Sequence, residues 1–294
     1  MKKLPTIAFL IAIILQTTVI HGQSKKFFLP AAVNEASGLI YQNDSSFLWI
    51  NDSGDGPMIY QTDLNGYLIG KMEVEGARNK DWEDLSKDKQ GNIYIGDAGN
   101  NCHCRKDLKI YQWNPETKSL DSILFYYPEQ QSFPAKGKRR VFDLEAFIWW
   151  KDSLHLFTKG SLFDKNFITY HYVLPARGGR YAAHLIDSLS LKNRVITAAA
   201  ISQDGQKLAL LSYRFKRVLG FIPQSNVTLF SFSGYDGSHF LQGSMVRQKI
   251  RTASIASQYE ALDFVNEHEV WLGSEQTKVY RQQARKFSIK KATP

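Results

Sequence analysis

Short apolar runs recur along this chain, and they come in sets. Phe47-Leu48-Trp49-Ile50, Asn92-Ile93-Tyr94-Ile95, Leu154-His155-Leu156-Phe157, Leu208-Ala209-Leu210-Leu211 and Val270-Trp271-Leu272 are aromatic or aliphatic and brief. Turn residues bound them, as in Asn43-Asp44-Ser45, Gln90-Gly91-Asn92 and Asp204-Gly205. Bulky aliphatic and aromatic side chains pack well on a pleated surface, and Asn, Asp and Gly supply the backbone conformations that turns need. The runs therefore read as strands. No stretch sustains a long 3.6-residue apolar period, so helix is expected to be scarce.

Each run follows a segment of one kind. Glu35-Ala36-Ser37, Glu83-Asp84-Leu85, Glu145-Ala146-Phe147 and Glu260-Ala261-Leu262 head four units, and Thr197-Ala198-Ala199-Ala200 takes the same place without an acid. A further run closes each unit: Met58-Ile59-Tyr60, Lys109-Ile110-Tyr111, Ile168-Thr169-Tyr170, Val227-Thr228-Leu229-Phe230 and Lys278-Val279-Tyr280. Fourth strands are predicted near 67–74, 122–127, 181–186 and 240–249. Four short strands repeated at intervals of tens of residues predict an all-β β-propeller. Five blades are expected, and long insertions leave room for six. A strand at 25–29 is expected to complete the last blade and close the ring. Two β-sandwiches are the rival fold, but they would not put one tripeptide at the head of every unit. No linker-like segment divides residues 23–294, so they read as a single domain.

The N-terminus changes the charge. Lys2 and Lys3 precede an apolar run at 7–15, and Ile20-His21-Gly22 follows. That is the layout of a secretory signal peptide at 1–22, cleaved near Gly22. A membrane span needs about 20 apolar residues, and Gln16-Thr17-Thr18 interrupts this one. A secreted, periplasmic or cell-surface protein is expected. No cysteine near the cut marks it as a lipoprotein. Losing the two lysines reduces the formal charge from +9 to +7. An exported protein meets little nucleic acid, so the positive balance is read as solubility or attraction to anionic surfaces. Two cysteines cannot staple 294 residues. Cys102-His103-Cys104 offers either a disulfide in an oxidising compartment or part of a zinc or copper site with no further cysteine to complete it.

Repeat geometry places the candidate chemistry. The first strand of a blade lines the channel, and the second returns beside it. The start of the first therefore sits by the end of the second, at one mouth. On that basis Glu35 pairs with Asp52, Glu83 with Asp97, Glu145 with Lys159, Ala200 with Arg214, and Glu260 with Glu275. A funnel follows, acidic on the side of blades one, two and five and basic on the side of blades three and four. Converging carboxylates need a cation, a basic neighbour or raised pKa values. Calcium takes oxygen ligands and suits this supply, with Glu35, Glu83, Asp97 and Glu260 as its candidate ligands. The structural alternative is that repeated acids accept backbone N–H bonds between blades. Asn51-Asp52-Ser53-Gly54-Asp55-Gly56 lacks the spacing of a calcium loop and reads as a polar hairpin turn. Arg105 is expected to clamp the Asp97-Ala98-Gly99-Asn100-Asn101 loop by pairing with an acid. Lys136-Gly137-Lys138-Arg139-Arg140 reads as a solvated basic loop. No nucleophile elbow, phosphate loop or His-Glu-x-x-His pair occurs.

Glu35-Ala36-Ser37-Gly38-Leu39, Asn51-Asp52-Ser53-Gly54, Asp81-Trp82-Glu83-Asp84-Leu85 and Ile93-Tyr94-Ile95-Gly96-Asp97-Ala98-Gly99-Asn100-Asn101 resemble a group of exported bacterial propellers common in Bacteroidetes. That group is similar to the SdiA-regulated and esterase-like phytase propeller families. Asp143-Leu144-Glu145-Ala146 and Tyr259-Glu260-Ala261-Leu262 fit the same pattern, which covers nearly all of residues 23–294. The resemblance implies the fold and an exported location, with no specific activity. Ala200 departs from the acid that the group often carries in its fourth unit. Three functional readings stand. The first is a monomeric propeller that binds a small polar ligand, a cation or a surface or protein partner at the acidic mouth. The second is a metal-assisted hydrolase of phosphate esters, lactones or glycans, with Glu83 or Glu145 as base and Lys159 or Arg214 holding developing charge. The third is an inert surface scaffold.

Overall fold

The computed structural model describes residues 25–161, 164–218, 222–250 and 257–290. The segment read as a signal peptide lies outside the described residues. After β1 (Lys26–Phe28), blade 1 holds β2 (Ala36–Gln42), β3 (Ser46–Asn51), β4 (Met58–Thr62) and β5 (Leu68–Glu73). Blade 2 holds β6 (Trp82–Lys87), β7 (Ile93–Asp97), β8 (Lys109–Trp113) and β9 (Leu120–Tyr126). Blade 3 holds β10 (Leu144–Trp150), β11 (Ser153–Thr158) and β12 (Ile168–Pro175); then come β13 (Gly179–Ala182) and the fourth strand of the blade, β14 (His184–Ser190). Blade 4 holds β15 (Val195–Ile201), β16 (Lys207–Val218), β17 (Ile222–Ser233) and β18 (Ser244–Lys249). Blade 5 holds β19 (Tyr259–Asn266), β20 (Glu269–Ser274) and β21 (Gln283–Ser288). The sheets make a five-bladed β-propeller. Helix among the described residues is limited to two 3-10 turns, Gly137–Arg139 and Phe240–Gln242.

β1 pairs antiparallel with β21 and is the outer strand of blade 5. The chain's first strand thus closes its last blade. Phe27 packs its ring against Trp271 of blade 5 and Phe47 of blade 1. The predicted strand at 181–186 divides in two. β14 completes blade 3, while β13 pairs parallel with β9 and adds a fifth strand to blade 2. Ala183, buried between them, marks the break. The basic run is exposed from Lys136 to Arg139, as expected of a solvated loop, and is anchored at its end: Arg140 Nη2 donates to Asn101 O at 3.0 Å, and its Nε lies 3.4 Å from Asp164.

The apolar core is divided among the seams between blades. One cluster joins Ile50, Ile59 and Val74 of blade 1 to Trp82, Ile95 and Trp113 of blade 2. Others fill the remaining four seams. Each blade is therefore apolar on both faces, which explains why its inner strands read as continuous rather than alternating runs.

Polar ties cross the same seams. Asp84, fully buried, accepts from Leu85 N at 2.8 Å, from Phe147 N of blade 3 at 3.0 Å and from Ala199 N of blade 4. Its carboxylate therefore stands across the channel. Asp263 of blade 5 accepts from Tyr41 N of blade 1 at 2.8 Å. Gly38 lets the inner strands of blades 1 and 2 approach, since a Cβ there would lie 2.7 Å from Leu85 N. Backbone cannot move aside as a flexible side chain can. Gly38→Ala is expected to cost about 1–3 kcal/mol, the usual range for overpacking, read as a lower midpoint in urea unfolding with unchanged slope.

Candidate functional site

One backbone irregularity builds the site. The pairing of first and second strands slips between Ala36 and Gly38, Trp82 and Leu85, Leu144 and Ala146, Ile196 and Ala198, and Tyr259 and Ala261. Each slip is a β-bulge, which leaves a residue unpaired in the ladder and re-aims its side chain. The bulged residues are Ser37, Glu83 with Asp84, Glu145, Thr197 and Glu260, all buried. The two hydroxyls point to the next blade: Ser37 donates to Glu83 O at 2.5 Å, and Thr197 donates to Tyr259 O at 2.9 Å. The three glutamates gather at one mouth of the channel.

One step further out, the chain adds a second tier. Asp52 N donates to Glu35 O at 3.0 Å, Lys159 N to Asp143 O at 2.9 Å, and Glu275 N to Gln258 O at 2.9 Å; Val195 pairs with Tyr213. Asp81 takes the equivalent place in blade 2, where its carbonyl accepts from Gly99 N at 3.1 Å. Asp52, Asp81 and Glu83 each present a carboxylate oxygen within 4.8 Å of the other two. Lys159 Nζ lies 2.5 Å from Glu145 Oε1 and is the cation inside the cluster. Glu83 is only 3% exposed, and its carboxylate makes no hydrogen bond or ion pair among the described residues.

The register corrects several sequence expectations. Glu35 is an exposed rim residue, and Ser37 takes the bulge position in its blade. Asp97 opposes Trp82 rather than Glu83. Its carboxylate accepts from Asp81 N at 3.1 Å and pairs with Arg105 at 3.1 Å, so the expected clamp on this loop is present. Ala200 pairs with Ala209, not Arg214, because Thr197 is the true head of its unit. Arg214 opposes Asn226 and follows Tyr213, so it takes the other face of its strand. The cations do not form a separate side: Lys159 sits among the carboxylates. The oxygens that converge are those of Asp52, Asp81 and Glu83, rather than those of Glu35, Glu83, Asp97 and Glu260. Asp81 and Asp143 were missed as site residues. The signal was present, since both stand two residues before a bulge glutamate in matching Asp-x-Glu segments. Cys102 and Cys104 are bonded to each other, which removes them as soft metal ligands. Their loop abuts the site, where Asn100 N donates to Asp143 Oδ1 at 2.5 Å.

The electrostatics follow from burial. Burial, then the charges of Glu145 and Asp52, holds Glu83 well above the ordinary glutamate range. Burial holds Glu145 up as well, against the opposing pull of Lys159. Burial and the neighbouring Glu260 do the same for Glu275. Asp81 is pushed up to about 7 by burial and by Asp52 and Asp143. Burial would lower Lys159, but Glu145, Tyr213 and the other acids outweigh it and raise it. At neutral pH the mouth holds more carboxyl groups than it can ionise together. It can accept a cation, or donate and accept protons near pH 7.

A cavity of about 1540 Å³ opens at the opposite mouth, lined by residues such as Gln42, Lys87, Trp149, Gln203 and His268. Its polar groups are mixed and in part mutually satisfied, as with His268 and Glu267 at 3.1 Å. Asp84 separates it from the carboxylates. No helix among the described residues is long and apolar enough to cross a membrane.

No family model matches this chain, and no curated protein matches it. Solved structures share its architecture. MPT-4, a mannose phosphorylase from Leishmania mexicana, is similar at TM-score 0.50 and 12% identity, over 90% of this chain and 87% of that one. Virginiamycin B lyase from Staphylococcus aureus is similar at TM-score 0.43 and 9% identity, over 92% of this chain and 89% of that one. A structure described as a gluconolactonase is similar at TM-score 0.47 and 9% identity, over 91% and 93%. At 12% identity the likeness to MPT-4 shows a shared fold alone.

The raised carboxylates set a pH dependence. A folded pKa above the unfolded value means the folded state holds protons that the unfolded chain releases. Stability is then full below the unfolded pKa near 4 and is lost as pH rises through the folded value. Asp81 and Asp263 both sit at about 7. In chelator, the melting temperature is expected to fall between pH 5 and pH 8, and Asp81→Asn is expected to flatten that fall. A melting temperature that rises over this interval contradicts the raised carboxylates.

Proposed function

We propose that this protein is an exported ligand-binding propeller whose carboxylate mouth takes a divalent cation, with calcium the best match, or a polar ligand bearing positive charge. The carrying observation is Glu83, buried beside Asp52, Asp81 and Glu145 with no hydrogen bond or ion pair to its carboxylate among the described residues. A buried carboxylate left unpaired is costly, and like charges nearby increase that cost. A hard cation relieves both terms at once and prefers carboxylate oxygen. Asp52, Asp81 and Glu83 would supply three oxygens from one side. Calcium takes about 6–8, so the remaining positions face the channel mouth and are open to water or to the polar groups of a ligand. Asp143 and Glu145, balanced by Lys159, would shape the far side of that opening.

A metal-assisted hydrolase is the second reading. What favours it is a buried carboxyl with a raised pKa next to the three-oxygen cluster, the condition under which a carboxylate serves as general base or acid near neutral pH. Glu83 or Glu145 would take that role, and Lys159 would oppose negative charge developing on a phosphate ester, lactone or glycan. Arg214, on the other strand face, has no part in it.

Calorimetric titration of calcium into chelator-treated protein tests the site. Saturable heat and a higher melting temperature are expected, together with proton release at pH 7 as the raised carboxyls ionise. Asp52→Asn and Glu83→Gln are each expected to weaken binding about 10-fold or more, as for loss of one charged ligand. No heat and no thermal shift at millimolar calcium would sink the cation reading. Turnover of an ester or lactone panel that survives Glu83→Gln and Glu145→Gln would remove both glutamates from any catalytic role.

A further inference from the structure

Blade 4 carries a second concentration of uncompensated charge, and it is positive. Arg194 stands just before β15 and is only 7% exposed. Its Nη1 donates to Asn226 O at 2.9 Å. Arg214 opposes the same Asn226 across the β16–β17 pairing. Arg194 and Arg214 therefore stand at the same level of the sheet. Along that face the register continues through Thr228, opposite Lys249, and Phe230, opposite Arg247. Directly opposed residues project to the same side of a sheet. Arg214, Asn226, Thr228, Arg247 and Lys249 thus share one face.

No acid answers these charges. Among the described residues, no carboxylate forms an ion pair with Arg194, Arg214 or Arg247, and every Asp and Glu of the chain is described. Between Gly205 and Ser257 the sequence contains one acid, Asp236. It lies in the turn after β17, at the end of that strand remote from Asn226. Burial, then Arg247 and Arg214, pushes Arg194 down to about 10. A buried hydroxyl on the same face, Thr228 Oγ1, also lacks a partner.

A guanidinium taken out of water needs an anion or several acceptors, and the planar fork matches tetrahedral oxyanions and carboxylates. One carboxylate would satisfy one arginine. Clustered arginines suit a group that carries close to two charges and several acceptor oxygens. We propose that this face of blade 4 binds a phosphate group, free or as a monoester, through Arg194, Arg214 and Arg247, with the Thr228 hydroxyl as a further donor. The site is separate from the carboxylate mouth and does not rest on the cation reading.

The test is calorimetric titration of inorganic phosphate, and separately of glycerol phosphate, into the full chain at constant ionic strength. Saturable binding of at least one probe is expected. It should weaken about 10-fold or more in the double variant Arg214→Gln/Arg247→Gln, by loss of charge-assisted bonds, and should be unchanged in Glu83→Gln. The double variant is used because the buried Arg194 is more exposed to misfolding on substitution; its melting curve confirms a folded protein. Equal affinity for the two probes assigns free phosphate, and tighter binding of the ester assigns a monoester. No saturable heat from either probe, or undiminished affinity in the double variant, overturns the site.

Discussion

The β-bulge at the head of each inner strand is the constraint on which the rest depends. Without it, alternation along the strand would send the head residue into a seam between blades, where only apolar or fully paired groups survive. With it, each blade turns a residue out of the ladder. What that residue is then decides what the mouth becomes. Ser37 and Thr197 spend the bulge on a bond to the next blade. Glu83, Glu145 and Glu260 do not, and they bring a carboxyl group to the mouth instead.

Identical chemistry serves two ends within a few residues. Glu83 and Asp84 are adjacent and both deeply buried. Asp84 meets backbone N–H groups from its own blade and from blades 3 and 4. Burial still holds Asp84 well above the ordinary aspartate range, but these donors pull against it and make the carboxyl a rivet between blades. Glu83 meets other carboxylates and the distant pull of Lys159. The alternatives drawn from the sequence, structural acids or site acids, were thus not exclusive. The donors around each acid, not its position in the repeat, separate the two.

The propeller, its five units and the closing strand were legible because each blade buries both faces and repeats short runs, although in blade 5 the run Lys278-Val279-Tyr280 falls in a turn and the third strand is Gln283–Ser288. The acids at the unit heads were legible for the same reason. Their partners were not. A bulge adds a residue to one strand and none to the other, so counting back from strand ends misplaces a pair by one or more. That is why Asp97 was matched with Glu83 when the register gives Trp82; Ala200 was matched with Arg214 because Ala200, rather than Thr197, was counted as the head of its unit. Asp81 and Asp143 escaped because they precede the strands, where no apolar pattern marks a position. Asp263 looked like an ordinary strand residue, and only the tertiary structure shows it holding blade 1. The β13 strand escaped because its partner belongs to another blade.

Departure from the repeat is the more informative signal. Blade 4 breaks the pattern at each level. Its head is Thr197 rather than glutamate, the residues one step out are Val195 and Tyr213 rather than acids, and its middle strands run 12 residues each. Loss of acid there is what confines the carboxylates to the other blades. A ring with five equivalent heads would be radially uniform and mutually repelling. Hydroxyl heads in blades 1 and 4, with arginine around the second, give the same scaffold a direction.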